Sequence, residues 1–374
     1  MKTAVFSIVK PQLFRPLTFW PPALWLVFAA CLWLDLPPAR ANGTNATDST
    51  YAPSASAAPE PRVCEVTGPG AIVDFQPIPD VVDQMVECGL TNLTRQATAG
   101  SAWRSLVTTQ DIVGIKVYSQ AGLLSGTRPV VVAAVVNGLI AAGIPAKHIL
   151  IWDRHADDLR MSGYYKLGRQ LGVVVAACDE TGYDPGTFYA PDTAVIGNLV
   201  WGDMEFGQKG PGVGRKSFVA KLVSHVITKI ISIAPLLNLE SCGVSGHLYS
   251  LTLGSVDNTL RFEGDPDRLA VAVPEIYALP VIGDRVVLNI TDALLGQYEG
   301  GSSTLLQYSC VLNQLWFSHD PVALDTLAIK ELERERKDQD ADEYTLHLDL
   351  YNNANLLQLG SNDPAKITIE RSKL

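Results

Sequence analysis

Apolar positions along the chain come in two alternating rhythms: short unbroken runs, and stretches in which they recur every three or four residues. Residues 112–117 (IVGIKV) are apolar except for Lys116, the pattern of a strand buried on both faces. A helix follows over 129–143, with Pro129 suited to its first turn and Gly143 able to close it. A second strand at 148–153 comes at once. Asp157 or Asp158 can then cap a helix running to about Gln170, and 172–177 reads as a third buried strand. Strands joined through helices of this length lie parallel with a right-handed crossover, because only that hand packs the helix back onto the sheet. The expected class is α/β, an open, mostly parallel, doubly wound Rossmann-like sheet in one or two lobes.

The flanking sequence extends this pattern. From Asp80, a candidate N-cap, to Thr94, the spacing of Val82, Met85, Val86 and Leu90 suits an amphipathic helix, and 103–107 continues an apolar face. Downstream, 216–225 suits a helix, 226–233 a strand, and a further helix begins near Gly243. Next come a helix at 267–279, a strand at 285–290 leading into Thr291-Asp292, and a strand at 312–317 ending in Ser318-His319-Asp320-Pro321. A helix at 322–335 and an edge strand at 366–370 (KITIE) close the chain. Residues 185–215 are rich in glycine and aromatics and too long for an ordinary connector, so they read as a long loop or lid. Gly210, Gly212 and Gly214 are not spaced as a dinucleotide fingerprint, and no strand leads into them.

Charge narrows the partners. The chain carries −10 in total; Lys2, Lys10, Arg15 and Arg40 against Asp35 give the first 41 residues +3, which leaves −13 for the rest. An acidic body of that kind repels phosphate backbones, so no nucleic-acid partner is expected. The basic leader, the uncharged apolar run 23–34 and Ala39-Arg40-Ala41 look like a signal peptide over 1–41, with an uncleaved anchor as the alternative and the only membrane contact expected. Export to a periplasmic or extracellular location follows. Residues 42–62 are small, polar and proline-rich, a disordered linker, and 63–374 form the α/β domain. Past residue 41 the cysteines are Cys64, Cys88, Cys178, Cys242 and Cys310, without a C-x-x-C. No iron–sulfur cluster motif is present, the cofactor and any metal stay unassigned, and a Cys64–Cys88 disulfide is one option.

Ligands of open α/β sheets bind at the carboxyl ends of the strands, which directs attention to the 118–128 loop and its neighbours. Lys116 is the sharpest signal, since an ammonium in an apolar strand must be paired or must reach the open edge. Thr127 and Arg128 precede a helix whose N–H groups favour an anion, and an arginine can grip a carboxylate or phosphate with two bonds; a plain helix cap explains them as well. Asp153, Asp292, Asp320 and Asp325 stand at or just past strand ends, as ligand contacts or as acidic caps. His247, in a glycine-flanked turn, is a candidate proton carrier beside Lys116. Together these residues describe a cleft for a small, anionic molecule.

Several stretches taken together resemble the domain-of-unknown-function 362 family: SAWRSLVTTQDIVGIKV at 101–117, the GIPAKHILIWD run ending at Asp153, TKIISIAP with GVSG at 243–246, LNITDAL at 288–294 and SHDPVALDTLA at 318–328. The resemblance implies an α/β fold, frequent export and, in some members, redox surroundings; it assigns no reaction. Where the resemblance implies Lys-x-Asn, Lys-x-His and a later Lys-Asn pair, this chain has Lys116-Val117-Tyr118, Asn238-Leu239-Glu240 and Tyr249-Ser250, which strips basic groups from the expected site. Two readings result: a binding protein that kept a pocket, or an extracytoplasmic enzyme using Lys116, His247 and cleft carboxylates, metal-assisted or redox-associated.

Overall fold

Eight strands in a row carry the fold, in a computed structural model that describes residues 60–190, 216–341 and 345–374. In chain order the elements are β1 (Arg62–Thr67), β2 (Ile72–Val73), β3 (Gln76–Pro77), α1 (Pro79–Thr94), α2 (Ala99–Leu106), β4 (Val113–Val117), α3 (Gly122–Ser125), α4 (Pro129–Ala141), β5 (Ile149–Asp153), α5 (Ala156–Met161), α6 (Tyr164–Leu171) and β6 (Val174–Ala177). The second half adds α7 (Cys178–Thr181), β7 (Tyr183–Tyr189), β8 (Ser217–Ala220), β9 (Lys229–Leu239), β10 (Gly243–Val244), α8 (His247–Ser255) and α9 (Pro266–Tyr277). It ends with β11 (Val286–Gln297), β12 (Ser309–Ser318), α10 (Pro321–Asp338), α11 (Asp349–Leu356) and β13 (Thr368–Lys373).

The main sheet runs β13-β1-β12-β11-β9-β4-β5-β6, and β10 folds back on β9. The five strands from β11 to β6 are mutually parallel, and β12 runs against both β11 and β1. The fold is therefore α/β with a mostly parallel, Rossmann-like sheet. From β4 the chain steps outward to β5 and β6, then returns to lay β9 on the other side of β4. Such a reversal of strand order opens a crevice at the carboxyl ends of the strands on either side.

Alternate residues of the central strands feed two cores. Ile115, Ile151, Ile231, Ile233 and Ile290 face α1, α2 and α4, while Trp152, Ile230 and Trp316 face α8, α9 and α10. Pro129 occupies the first turn of α4, and Gly143 at φ 98° ends that turn of chain in a conformation β-carbon residues avoid.

Several expectations change. The predicted helix at 216–225 is instead β8 followed by a wide helical turn, because Ser217, Phe218 and Ala220 pair with β7 and Phe218 packs edge-on against Phe188 at 5.8 Å. The helix predicted to begin near Gly243 starts at His247, after β10. The single helix expected before β6 is two, broken at Gly163 (φ 82°), and Ile78 rather than Asp80 is the N-cap of α1. Both β9 and β11 run far past the predicted ends, so Thr291 and Asp292 lie inside β11. The linker expectation gives way at its end, where Arg62 begins β1. Cys64 and Cys88 are both free thiols, Cys64 beside Glu370 and Cys88 beside Asn92, which removes the disulfide option. The signal peptide, the rest of the linker and the lid beyond 190 lie outside the described residues; residues 185–189 belong to β7. Among the described residues no helix is long and apolar enough to cross a membrane.

Candidate functional site

At the crevice, Lys116 is 1% exposed and lies on the α8 face of the sheet. Its ammonium stands 2.8 Å from Asp153 Oδ1 and donates to the Val117 carbonyl at 2.6 Å and to Ser250 Oγ at 3.2 Å. Three N–H donors thus meet three acceptors. Asp153 is held from the other side as well: Oδ2 accepts from the Ser119 N–H at 2.8 Å and from Ser119 Oγ at 2.7 Å, and Oδ1 accepts from the Arg154 N–H at 2.8 Å. Burial alone would push the Asp153 carboxyl up, but Lys116 and the Ser119 donors outweigh it and hold it below the ordinary range. Gly254 of α8 presses on this pair; an added Cβ would overlap Lys116 Cε and stand 2.8 Å from Nζ.

Above Asp153 lies a cleft of about 230 Å³ between the ends of β4 and β5 and the helix α8, walled by Tyr118, Arg154, Asp158, Tyr249, Leu253 and Glu263 among others. Arg154 Nη1 donates to Thr259 Oγ1 at 2.6 Å, Thr259 Oγ1 donates to Glu263 Oε2 at 2.7 Å, and Tyr249 Oη donates to Glu263 Oε1 at 3.2 Å. Arg154 Nε is buried and has no hydrogen-bond partner. No donor among the described residues sits on the Asp158 carboxylate, which burial and the charges of Asp153, Asp157 and Asp179 push up against the opposing pull of His155.

The residues singled out from sequence divide between the two faces of the sheet instead of converging. Arg128 pairs with Asp292 at 2.9 Å, and its own N–H donates to the other oxygen of that carboxylate at 3.0 Å. Its second terminal nitrogen goes to the carbonyls of Leu124 and Leu295. Asp292 alternates with Thr291 along β11 and so faces away from Lys116. Thr127 Oγ1 accepts from the Tyr118 N–H and donates to the Ile233 carbonyl, tying loop to sheet. Thr127, Arg128 and Asp292, expected as ligand contacts, are therefore spent on internal bonds, and none walls the cleft.

His247 is fully buried, with Nδ1 2.9 Å from Ser232 Oγ and Nε2 3.1 Å from Thr291 Oγ1. Burial lowers its pKa to about 3, so the ring is neutral. Asp325 caps α8 from the neighbouring helix, taking the N–H groups of His247 at 2.7 Å and Leu248 at 3.0 Å; burial, with a contribution from Asp320, pushes it up to about 7. Asp320 caps its own helix through the Ala323 N–H and also accepts from the Ser361 N–H, both at 2.8 Å, and burial raises it to about 6. Both aspartates act as helix and loop anchors in place of the expected ligand contacts. Of the eight residues, Asp153 borders the cleft and Lys116 supports it from below.

No protein-family model matches the chain, and no curated protein matches it. Among solved structures it is similar to a crystal structure of a Thermotoga maritima protein, at 10% identity and a TM-score of 0.39, over 73% of this chain and 62% of that one. The chain spans less than two thirds of that structure's length.

Sequence reasoning passed over Arg154, Tyr118, Tyr249 and Glu263. Arg154 was within reach of the rule that found Asp153, since it is the next residue past the carboxyl end of β5. Tyr118 stands in the same place after β4, within the loop the location rule points to; Tyr249 on α8 and Glu263 in the turn after it carry no local mark. Among the described residues no three His, Cys, Asp or Glu side chains converge as a metal site would require.

Proposed function

We propose that this chain is a binding protein resembling the domain-of-unknown-function 362 family, and that its cleft holds a small anionic ligand on the guanidinium of Arg154. The observation behind this reading is the guanidinium of Arg154 on the cleft wall, whose one hydrogen bond among the described residues runs from Nη1 to Thr259 and leaves its other terminal nitrogen uncommitted. A guanidinium matches a carboxylate or phosphate through its outward N–H groups, in two parallel bonds where both oxygens can reach them. Neither Asp153 nor Glu263 forms a direct ion pair with it: Asp153 is bonded to Lys116, and Glu263 accepts from Tyr249 and Thr259. At roughly 30 Å³ per water, the 230 Å³ cleft has room for a molecule of about eight non-hydrogen atoms.

The enzyme reading has less support. Every N–H of Lys116 is committed, and both ring nitrogens of neutral His247 are bonded within the core. Titration calorimetry of the chain with acetate, pentanoate and inorganic phosphate tests the binding reading. Saturable binding of at least one at millimolar concentration, weakened tenfold or more by Arg154→Gln, supports it; no heat from any of them, or affinity indifferent to Arg154→Gln, overturns it. Export belongs to the same proposal and rests on the leader-like sequence of residues 1–41. A mature N-terminus near residue 42 in a secreted or periplasmic fraction supports it, and full-length chain confined to the cytoplasm refutes it.

A further inference from the structure

We infer that the ligand of this cleft is a small zwitterion of the α-amino acid type, its carboxylate on Arg154 and its ammonium on Asp158. This rests on the anion-binding reading above and adds a second, opposite charge to it. Arg154 and Asp158 both wall the same 230 Å³ space, one at the carboxyl end of β5 and the other within α5. A molecule of about eight non-hydrogen atoms fills that space and touches both walls.

The two side chains are four residues apart, yet they form no ion pair: the single side-chain hydrogen bond of Arg154 is to Thr259, and Asp158 has no donor on it among the described residues. Each lines the cleft without a direct ion pair. The negative surroundings of Asp158, with Asp153, Asp157 and Asp179 near, favour a cation beside it, and the nearby His155 ring is turned toward Asp179 at 3.2 Å. Tyr118 Oη donates to Gln120 Oε1 and Tyr249 Oη to Glu263, which leaves lone pairs on both phenol oxygens as further acceptors for an ammonium. Leu253 and Leu260 supply an apolar wall, and Leu260 is 63% exposed, so an aliphatic side chain on the ligand has a surface to cover. A zwitterion also carries no net charge, so the −10 of the chain does not repel it as it would a simple anion.

Calorimetry with matched pairs decides the matter: glycine against acetate, L-alanine against propionate, L-norvaline against pentanoate, with pentylamine as the cation alone. The expected result is that at least one amino acid binds tenfold or more tighter than the acid lacking its amine, and tighter than pentylamine. Asp158→Asn should bring the amino acid down to the level of its acid while the affinity for the acid is retained, which also shows the variant is folded. If acids and amino acids bind alike, or Asp158→Asn leaves the difference intact, the zwitterion is refuted and the anion reading stands. Tighter binding of pentylamine than of L-norvaline also refutes the zwitterion, and silence from every probe refutes both readings.

Discussion

Lys116→Met offers the most direct measure of how the crevice floor is held. The substitution keeps most of the side-chain volume and removes the ammonium, which leaves Asp153, 6% exposed, without its nearest cation. Breaking a buried pair by removing one partner typically costs about 3–5 kcal/mol. Three donors stay on Asp153, two from Ser119 and one from the Arg154 backbone, and they place the expected loss near the low end, about 3 kcal/mol. The Val117 carbonyl and Ser250 hydroxyl also lose a donor, which adds about 1 kcal/mol or more each where water does not replace it. In the parent chain the lowered Asp153 pKa contributes stability that is present above the ordinary value of 3.8 and is lost as pH falls through the folded value. Without Lys116, burial dominates and the carboxyl rises; the variant then prefers a proton on Asp153 and loses stability as pH increases. Urea denaturation of both chains at mildly acidic and mildly alkaline pH should show a gap that widens toward alkaline pH. A gap below 1 kcal/mol at neutral pH, or one that does not change with pH, would refute the account of this pair.

Three further outcomes are expected. Asp325 is raised to about 7 by burial, so its contribution is whole below the ordinary 3.8 and gone once pH has risen through 7; Asp325→Asn should flatten the fall in urea midpoint between about pH 4 and 7, and identical slopes would refute this. Gly254→Ala gains about 1 kcal/mol of helix propensity on an open surface, but here the methyl overlaps buried Lys116, so thermal or urea denaturation should show a net loss of about 1–3 kcal/mol rather than a gain. Phe75 sits at φ 60° beside Asp74 at 49° in the turn between β2 and β3, half exposed; Phe75→Gly should stabilise the chain by roughly 1 kcal/mol, and a destabilised variant would mean the ring makes a contact worth more than the backbone strain.

The half of the sheet from β4 to β6 was legible because parallel strands buried on both faces are unbroken apolar runs, and Pro129 and Gly143 punctuate the helix between them. β1 was hidden because RVCEVT has partners in β12 and β13, more than 240 residues downstream, and little pattern of its own. The second halves of β9 and β11 were missed for a related reason: they extend strands past the rim, where pairing with each other and with β10 and β12 decides their shape. At the site, a charge in an apolar stretch was a true signal of burial but not of ligand contact. Arg128 finds its counter-charge 164 positions away at Asp292, a distance over which sequence says nothing about pairing. The location rule for open sheets fared better than the choice of residues, since it led to Asp153 and stopped one residue short of Arg154.

β1 lies between β12 and β13, so its backbone is zipped on both sides by segments made more than 240 residues after it. During synthesis Arg62–Thr67 waits with open hydrogen-bonding edges until at least Ser309–Ser318 has emerged. The nascent chain therefore cannot seal this side of the sheet early, a delay that leaves an unpaired strand open to misassembly during synthesis.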